Sequence, residues 1–511
     1  MSLVGRVGRK RPRARLAMAL LYLILSLGAL TMLYPFALML STGLKGPTDQ
    51  NDNRLIPGFT RDLAELQAKY LNDKYAGDVS QIASSRLGPP SNADVKRYDD
   101  FLKALPIDYW QSGFRIAPSQ VTSRLAKRYR DWLRKRYRND IDALNRAYVE
   151  ENVAFQTVAP PTEMFERKVW RPTPGKKYTE WQEFKADLPT EFRIPVRETW
   201  IFQKFLMGKF QNQIGSVPPE IRGAAKRFEE IALPRGASPL LAEFRRTEPD
   251  RFAYESTETK WRAVAGDAPM PVTAAEAQFS QEHAGEIRAE FAGRNYRYVL
   301  DYILINGRAV WNTVCFCFLA ILMQLTVNPL AAYALSRYPV RQSGAILIFL
   351  LATMAFPAEV AMIPSFLLLK NLGLLNTFAA LVLPGAASGY MIFLLKGFFD
   401  SLPQELFEAG SLDGAKETTM MLRIAFPLSR PVLGYLALLA FMGAYGSFIY
   451  AFLVAQDQRI WTLMVWIYQL QNDAPRSVLM AALTLAAVPT LLVFLCAQRV
   501  IMRGIVLPGE R

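Results

Sequence analysis

The stretch SLPQELFEAGSLDGAKETTMMLRIAFPLSRP, residues 401–431, decides how the chain is read. Ser401 with Gln404 has the spacing of a capping box, and Pro403 fits a first helical turn. QELFEAGSL predicts a short helix with Leu406, Ala409 and Leu412 near one face. Asp413-Gly414 is a turn signal that ends it. A second helix over about 415–425 leads to Pro427 and Pro431, where a long apolar run begins. The pattern is a polar helix–turn–helix, too short for a domain and too ordered for a linker.

Outward from this loop the chain is apolar on both sides. Hydrophobic residues make up 51% of the 511, but the average hides two regimes. Residues 51–300 carry 40 Lys+Arg and 34 Asp+Glu, ordinary soluble chemistry, whereas residues 301–511 carry only 13 and 10. A helix needs about 20 apolar residues to cross a bilayer. Runs of that kind occur at 16–44, 309–335, 344–366, 376–395, 431–455 and 477–498. The sequence therefore predicts an all-α polytopic membrane protein of six transmembrane helices, with a large, mainly helical insert between the first and second. A purely soluble enzyme is excluded.

The first run is about twice the length of a signal-peptide core, so it reads as a retained anchor. The basic VGRVGRKRPRAR before it predicts a cytoplasmic N-terminus. Six crossings return the C-terminus to the same side, and the loops with Arg337 and Arg341, with Lys396 through Arg430, and with Arg499 and Arg503 agree. The expected organisation is a basic cytoplasmic segment 1–15, a first helix 16–45, an extracytoplasmic insert 46–305, a membrane core 306–500 and a cytoplasmic tail 501–511.

Much of the net charge of +15 flanks these runs, where Lys and Arg set topology. The one stretch with a nucleic-acid look, RLAKRYRDWLRKRYR (124–138), reads as a solvated helix face, and no nucleic-acid partner is expected. Cys315, Cys317 and Cys496 all lie in apolar stretches, and His283 is the only histidine. Neither a disulfide framework, nor a metal site, nor a Ser–His triad is expected. No cofactor and no catalytic residue is predicted.

Pro35, Pro329, Pro357 and Pro364 fall inside the apolar runs. Each removes a ladder hydrogen bond, a break that membranes tolerate where neighbouring helices or a cavity satisfy the freed carbonyl. Glu359 is the only acid within a run. It reads either as a pathway residue or as a group at the outer interface in contact with water.

The 401–431 loop resembles the signature loop of importer-type ABC transporter permeases: E-A-A, three residues, Gly, nine residues, I-x-L-P. Here it is Glu408-Ala409-Gly410, then Gly414, then Ile424-Ala425-Phe426-Pro427, and Leu412-Asp413-Gly414-Ala415 fits the common continuation. Gly410 for Ala and Phe426 for Leu are the departures. The resemblance covers nearly all of 306–511 plus 16–46 and is closest to carbohydrate permeases of the maltose-transport type. Asn312-Thr313, AAYALSR (331–337), IPSFLLLKNLGLLNT (363–377) and QRVIMRG (498–504) are similar to further landmarks of that family.

The resemblance implies a type-1 ABC importer core and a transport role rather than an enzyme. The chain would be one half of a pathway for a sugar or oligosaccharide in the cell membrane of a bacterium or archaeon. The implied partners are cytoplasmic ATPase subunits, a second permease subunit, an extracytoplasmic solute-binding protein and the lipid bilayer. The ATPase would grip 401–427, with Glu408, Ala409, Gly410, Leu412, Asp413, Gly414, Ala415, Ile424 and Pro427 at the contact. No G-x-x-x-x-G-K-[ST] loop occurs in the sequence, so ATP hydrolysis is expected on a separate chain.

The family's first external loop is short, so residues 46–305 depart from its pattern. Amphipathic helical stretches alternate with breaks such as VAPPTE and RPTPGKK. FLKALPIDYWQSGFRIAP leading to YRDWLRKRYRNDIDAL looks like EFKADLPTEFRIPV leading to WIFQKFLMGKFQNQI, a degenerate duplication of a helical unit. YRDWLRKRYRNDIDALNRAYVEENVAFQTVAPP is also similar to a helix in some glycoside hydrolases of the beta-galactosidase type. The insert reads as a docking surface, as a structural extension or as an enzyme. The last keeps a second overall reading open: a membrane-anchored carbohydrate-processing or sensing protein on a permease scaffold.

Overall fold

The computed structural model describes residues 12–78, 80–83, 92–114, 124–152, 154–234, 236–305, 308–338, 341–355 and 357–503. The chain separates into two compact units. One comprises Met1–Tyr298 with Asp473–Ala481, the other Val299–Asn472 with Ala482–Arg511.

The first unit opens with one long helix, Pro12–Gly43, interrupted in sequence only by Pro35. Most of its large apolar side chains, from Leu16 to Leu40, are exposed. In water such a surface is costly; in hydrocarbon it is what a spanning helix presents. The helix end is tied into the insert by side chains. Ser41 Oγ donates to the carbonyl of Arg54 at 2.8 Å, and Asn295 Nδ2 donates to the carbonyl of Gly43 at 2.9 Å. Lys45, 1% exposed, donates to the carbonyl of Arg54 at 2.8 Å.

The duplicated sequences of the insert fold alike. Each copy runs from a helix (Asn92–Ala104; Lys176–Ala186) through Leu-Pro into a 3-10 turn (Ile107–Tyr109; Thr190–Phe192) and then a strand. The strands β1 (Trp110–Ser112) and β2 (Arg193–Pro195) pair antiparallel, with Gln111 opposite Ile194, the same position in each copy. A local two-fold relation therefore passes through that pair. The helices that follow (Arg124–Arg136; Glu198–Lys209) also end alike, in left-handed pairs Arg138-Asn139 and Gln211-Asn212. Asn139 N–H bonds to the carbonyl of Arg134, and Asn212 N–H to that of Met207, both at 2.9 Å. Asparagine tolerates this conformation better than most residues, which is why an Asn marks both ends.

Around this frame the core is aromatic: Tyr70, Trp110, Phe114, Tyr129, Trp181 and Phe192 are all buried. Charge is buried with it. Lys185 and Glu163 are both fully inaccessible and 2.8 Å apart; Lys185 also reaches the Trp110 carbonyl at 3.1 Å, and Trp181 Nε1 donates to Glu163 at 2.9 Å. Arg294 holds Asp73 through two bonds of 3.0 and 2.9 Å. Charges so deep persist because each is paired and carries further hydrogen bonds.

The second unit is built on the helix Ala309–Arg337, which packs against Gly389–Asp400 and Arg430–Tyr445. Asn328, fully buried beside Pro329, accepts the Ser388 N–H at 2.8 Å and donates to the Gln324 carbonyl at 2.9 Å. Asn312 and Thr313 pin the 459–463 loop: Asn312 Nδ2 donates to the carbonyls of Arg459 and Trp461, and Thr313 Oγ1 accepts the Leu463 N–H.

Among the described residues, three helices are long and apolar enough to cross a membrane alone: Met18–Gly43, Ala309–Arg337 and Arg476–Gln498. Two bent pairs, Phe378–Gly385 with Gly389–Asp400 (51°) and Glu417–Leu428 with Arg430–Tyr445 (82°), raise the number to five. The expected run 344–366 is not one helix. It divides into Ser343–Met354 and Ala358–Asn371, because Pro357 has no N–H to continue the ladder. The run 431–455 likewise stops at Tyr445 and resumes at Ile449.

Candidate functional site

The 401–431 stretch folds as a helix, a tight turn and a second helix. The first spans Glu405–Leu412. The expected capping box does not form. Ser401 Oγ bonds back to the Phe398 carbonyl at 2.7 Å, and Gln404, at the N-cap, spends its amide on Glu408 Oε1 at 2.8 Å. The preceding helix, Gly389–Asp400, captures Ser401 before it can cap the next one.

The turn is fixed by Gly414, with φ of +74°. Ala415 N–H reaches the Gly410 carbonyl and Gly414 N–H the Ser411 carbonyl, both at 3.0 Å. This is the paired bonding of a Schellman motif, which requires the left-handed residue that glycine supplies without strain. The second helix, expected as regular over 415–425, is Glu417–Met420 followed by a π-helical turn Met421–Ala425 and Phe426–Leu428.

The two faces of this pair differ sharply. Glu408, Ala409, Asp413 and Gly414 are exposed, and Leu412 is 90% exposed. Gly410, Ala415, Ile424 and Pro427 are half-buried between the helices. A β-carbon on Gly410 would lie 3.4 Å from Ile424 Cδ1 and 3.6 Å from Met420 Cγ, so the two helices meet there. On the inner side Phe407, 8% exposed, packs with Met420, Met421 and Ala425.

Two residues of the helix Ala309–Arg337 anchor the pair through contacts that the sequence reading did not assign. Arg337, in the last turn of the long helix, lies 3.7 Å over the Phe407 ring and donates to the Phe399 carbonyl at 2.6 Å. Tyr333, one turn earlier, donates to Glu417 Oε2 at 3.1 Å. Tyr333 and Arg337 share a helix face by their i, i+4 spacing, but only the tertiary fold reveals what that face meets. Glu359 stands apart, exposed in the first turn of Ala358–Asn371.

This surface belongs to a stretch with relatives. Residues 328–506 match the model of the family described as binding-protein-dependent transport system inner membrane component. The permease protein UgpE of the sn-glycerol-3-phosphate transport system of Yersinia enterocolitica is 32% identical over 206 residues, 39% of this chain and 73% of that protein. This chain belongs to that family. Protein LplC of Bacillus subtilis is 29% identical over 253 residues, 46% of this chain and 84% of that one. A solved bacterial ABC transporter involved in the import of the acidic polysaccharide alginate has a chain 24% identical, covering 40% of this chain and 78% of its own, with a TM-score of 0.37. The relatives are transport components, and this permease is a transport subunit rather than an enzyme. The match leaves all of residues 46–305 outside the family model.

Proposed function

We propose that this permease carries a sugar or oligosaccharide into the cell, driven by a separate ATPase that grips residues 401–427. Alternating access of the membrane helices would follow the opening and closing of the ATPase dimer. The carrying observation is the two-sidedness of the helix Glu405–Leu412. Leu412 and Glu408 are exposed while Phe407, on the opposite face, is clamped to the longest core helix. An exposed leucine beside a carboxylate offers another protein an apolar contact and a charge-assisted hydrogen bond.

The same reading supplies the remaining parts. The termini lie in the cytoplasm, six crossings are completed by the broken 343–371 segment, and residues 46–305 face outward. A second permease subunit and a solute-binding protein complete the assembly. Glu359, in the first turn after a proline break, is a candidate pathway group. The solute class draws on the resemblance to carbohydrate permeases and on the transport system to which the glycerol-phosphate relative belongs.

The test is uptake of labelled sugars in cells carrying Glu408→Lys. The substituted protein is expected to insert normally, to co-purify with less ATPase and to lose transport. Uptake at the unmodified rate would refute the coupling role.

A further inference from the structure

The insert contains a cleft of about 540 Å³, within the range of small-molecule sites. It lies on the two-fold ladder itself, since Gln111 and Ser112 of β1 and Ile194 of β2 form part of its wall. Its chemistry is that of hydroxyl recognition. The amides of Gln111 and Gln81 are locked together, Gln111 Nε2 donating to Gln81 Oε1 at 3.1 Å, which leaves each amide a second polar atom to offer. Across from them Lys204 is held between Asp78, at 2.9 Å, and the face of Trp200, 4.2 Å from its ring centre.

Two buried donors on the walls, Ser112 Oγ and Trp200 Nε1, have no hydrogen-bond partner among the described residues. Buried polar atoms are usually satisfied, so these two donors are available for a guest in the cleft to satisfy. The guest's charge can also be read. Both ammonium groups on the cleft already hold a carboxylate, Lys204 that of Asp78 and Lys74 that of Glu276 at 2.5 Å. Among the described lining residues no lysine or arginine is left over to recruit an anion, and Glu163 and Glu166 on the wall disfavour one.

From these features we infer that the insert is itself a binding site for an uncharged saccharide of two to three units. Alternating donors and acceptors on amides, hydroxyls and paired charges match a ring of hydroxyls better than they match a peptide or an acid. The saccharide class agrees with the importer reading, but the site stands on its own geometry, and its occupancy needs no ATP.

The experiment is calorimetric titration of the purified full-length permease in nanodiscs with maltotriose, cellotriose, xylotriose and trigalacturonate. A neutral trisaccharide is expected to bind, and both Gln111→Ala and Asp78→Ala are expected to weaken it about tenfold or more, each having lost at least one hydrogen bond to the guest. The melting temperature of each variant, measured alongside, is expected to match that of the unmodified protein. Absence of binding by all four, tighter binding of trigalacturonate, or equal affinity in the variants overturns the inference. Since uptake in the Glu408→Lys strain is scored separately, the cleft can fail while the importer reading stands, and the reverse.

Discussion

The guanidinium of Arg337 rests 3.7 Å above the ring of Phe407 and joins the end of the longest core helix to the underside of the exposed surface helix. The surface helix that carries Leu412 is thereby joined to the helix Ala309–Arg337 through packed groups. Tyr333 and Glu417 make a second tie at 3.1 Å.

Arg337→Gln should therefore uncouple without unfolding. The lost cation–π contact is worth about 0.5–2 kcal/mol, small beside the stability of a packed core. Transport is expected to fall tenfold or more while membrane insertion and ATPase co-purification persist. Arg337→Lys, which keeps the charge but not the planar group, should recover part of the rate.

Gly410 and Gly414 should respond oppositely to substitution. At Gly410 a methyl group meets neighbours at ordinary contact distance, and alanine favours the helix by about 1 kcal/mol, so Gly410→Ala should retain transport and raise the melting temperature or leave it unchanged. At Gly414 nothing crowds an added side chain, but the positive φ costs roughly 1–2 kcal/mol. Gly414→Asp should insert and fold, since aspartate tolerates that region, and should abolish uptake by placing bulk and charge at the contact surface. Thermal melting and labelled uptake measured together separate the two effects.

The insert's stability should hinge on Lys185 and Glu163. Glu163→Gln leaves an uncompensated buried ammonium, and removal of one partner of such a pair costs about 3–5 kcal/mol. The double change Lys185→Met with Glu163→Gln should be milder than Glu163→Gln alone. Circular dichroism melts of the full-length protein give the comparison.

A pH dependence follows from Glu258. Burial pushes its carboxyl above the ordinary range, although the backbone N–H groups of Thr199 and Glu198 favour the charged form. A carboxyl raised on folding contributes stability at pH below its ordinary value, and that contribution is lost as pH rises through the folded value. Glu258→Gln should thus gain relative to the unmodified protein on going from about pH 5 to about pH 8. A gap that widens in the other direction would contradict the assignment.

The helix pair within 401–431 was legible because its signals are local: a proline just ahead of the first helix, an Asp-Gly break and a return of apolar residues. The duplicated insert was legible for the same reason, with Leu105-Pro106 and Leu188-Pro189 marking equivalent turns that the paired strands now join. What the sequence hid was competition and distance. Ser401 had two carbonyl–amide neighbourhoods to choose from and took the helix behind it. Pro357 split a run whose hydropathy is continuous, since hydropathy does not register a missing N–H. The clamp of Phe407 by Arg337, 70 positions away, and the cleft around Gln111 arise from tertiary packing that no periodicity encodes.

The most direct measurement places a single thiol at Leu412, in a protein whose Cys315, Cys317 and Cys496 have been replaced. The account predicts that Leu412→Cys is shielded from a membrane-impermeant maleimide added to intact cells, reacts once the membrane is opened, and cross-links to the ATPase subunit in a manner that changes with ATP. Labelling from outside intact cells, or no cross-link to the ATPase in any nucleotide state, would contradict it.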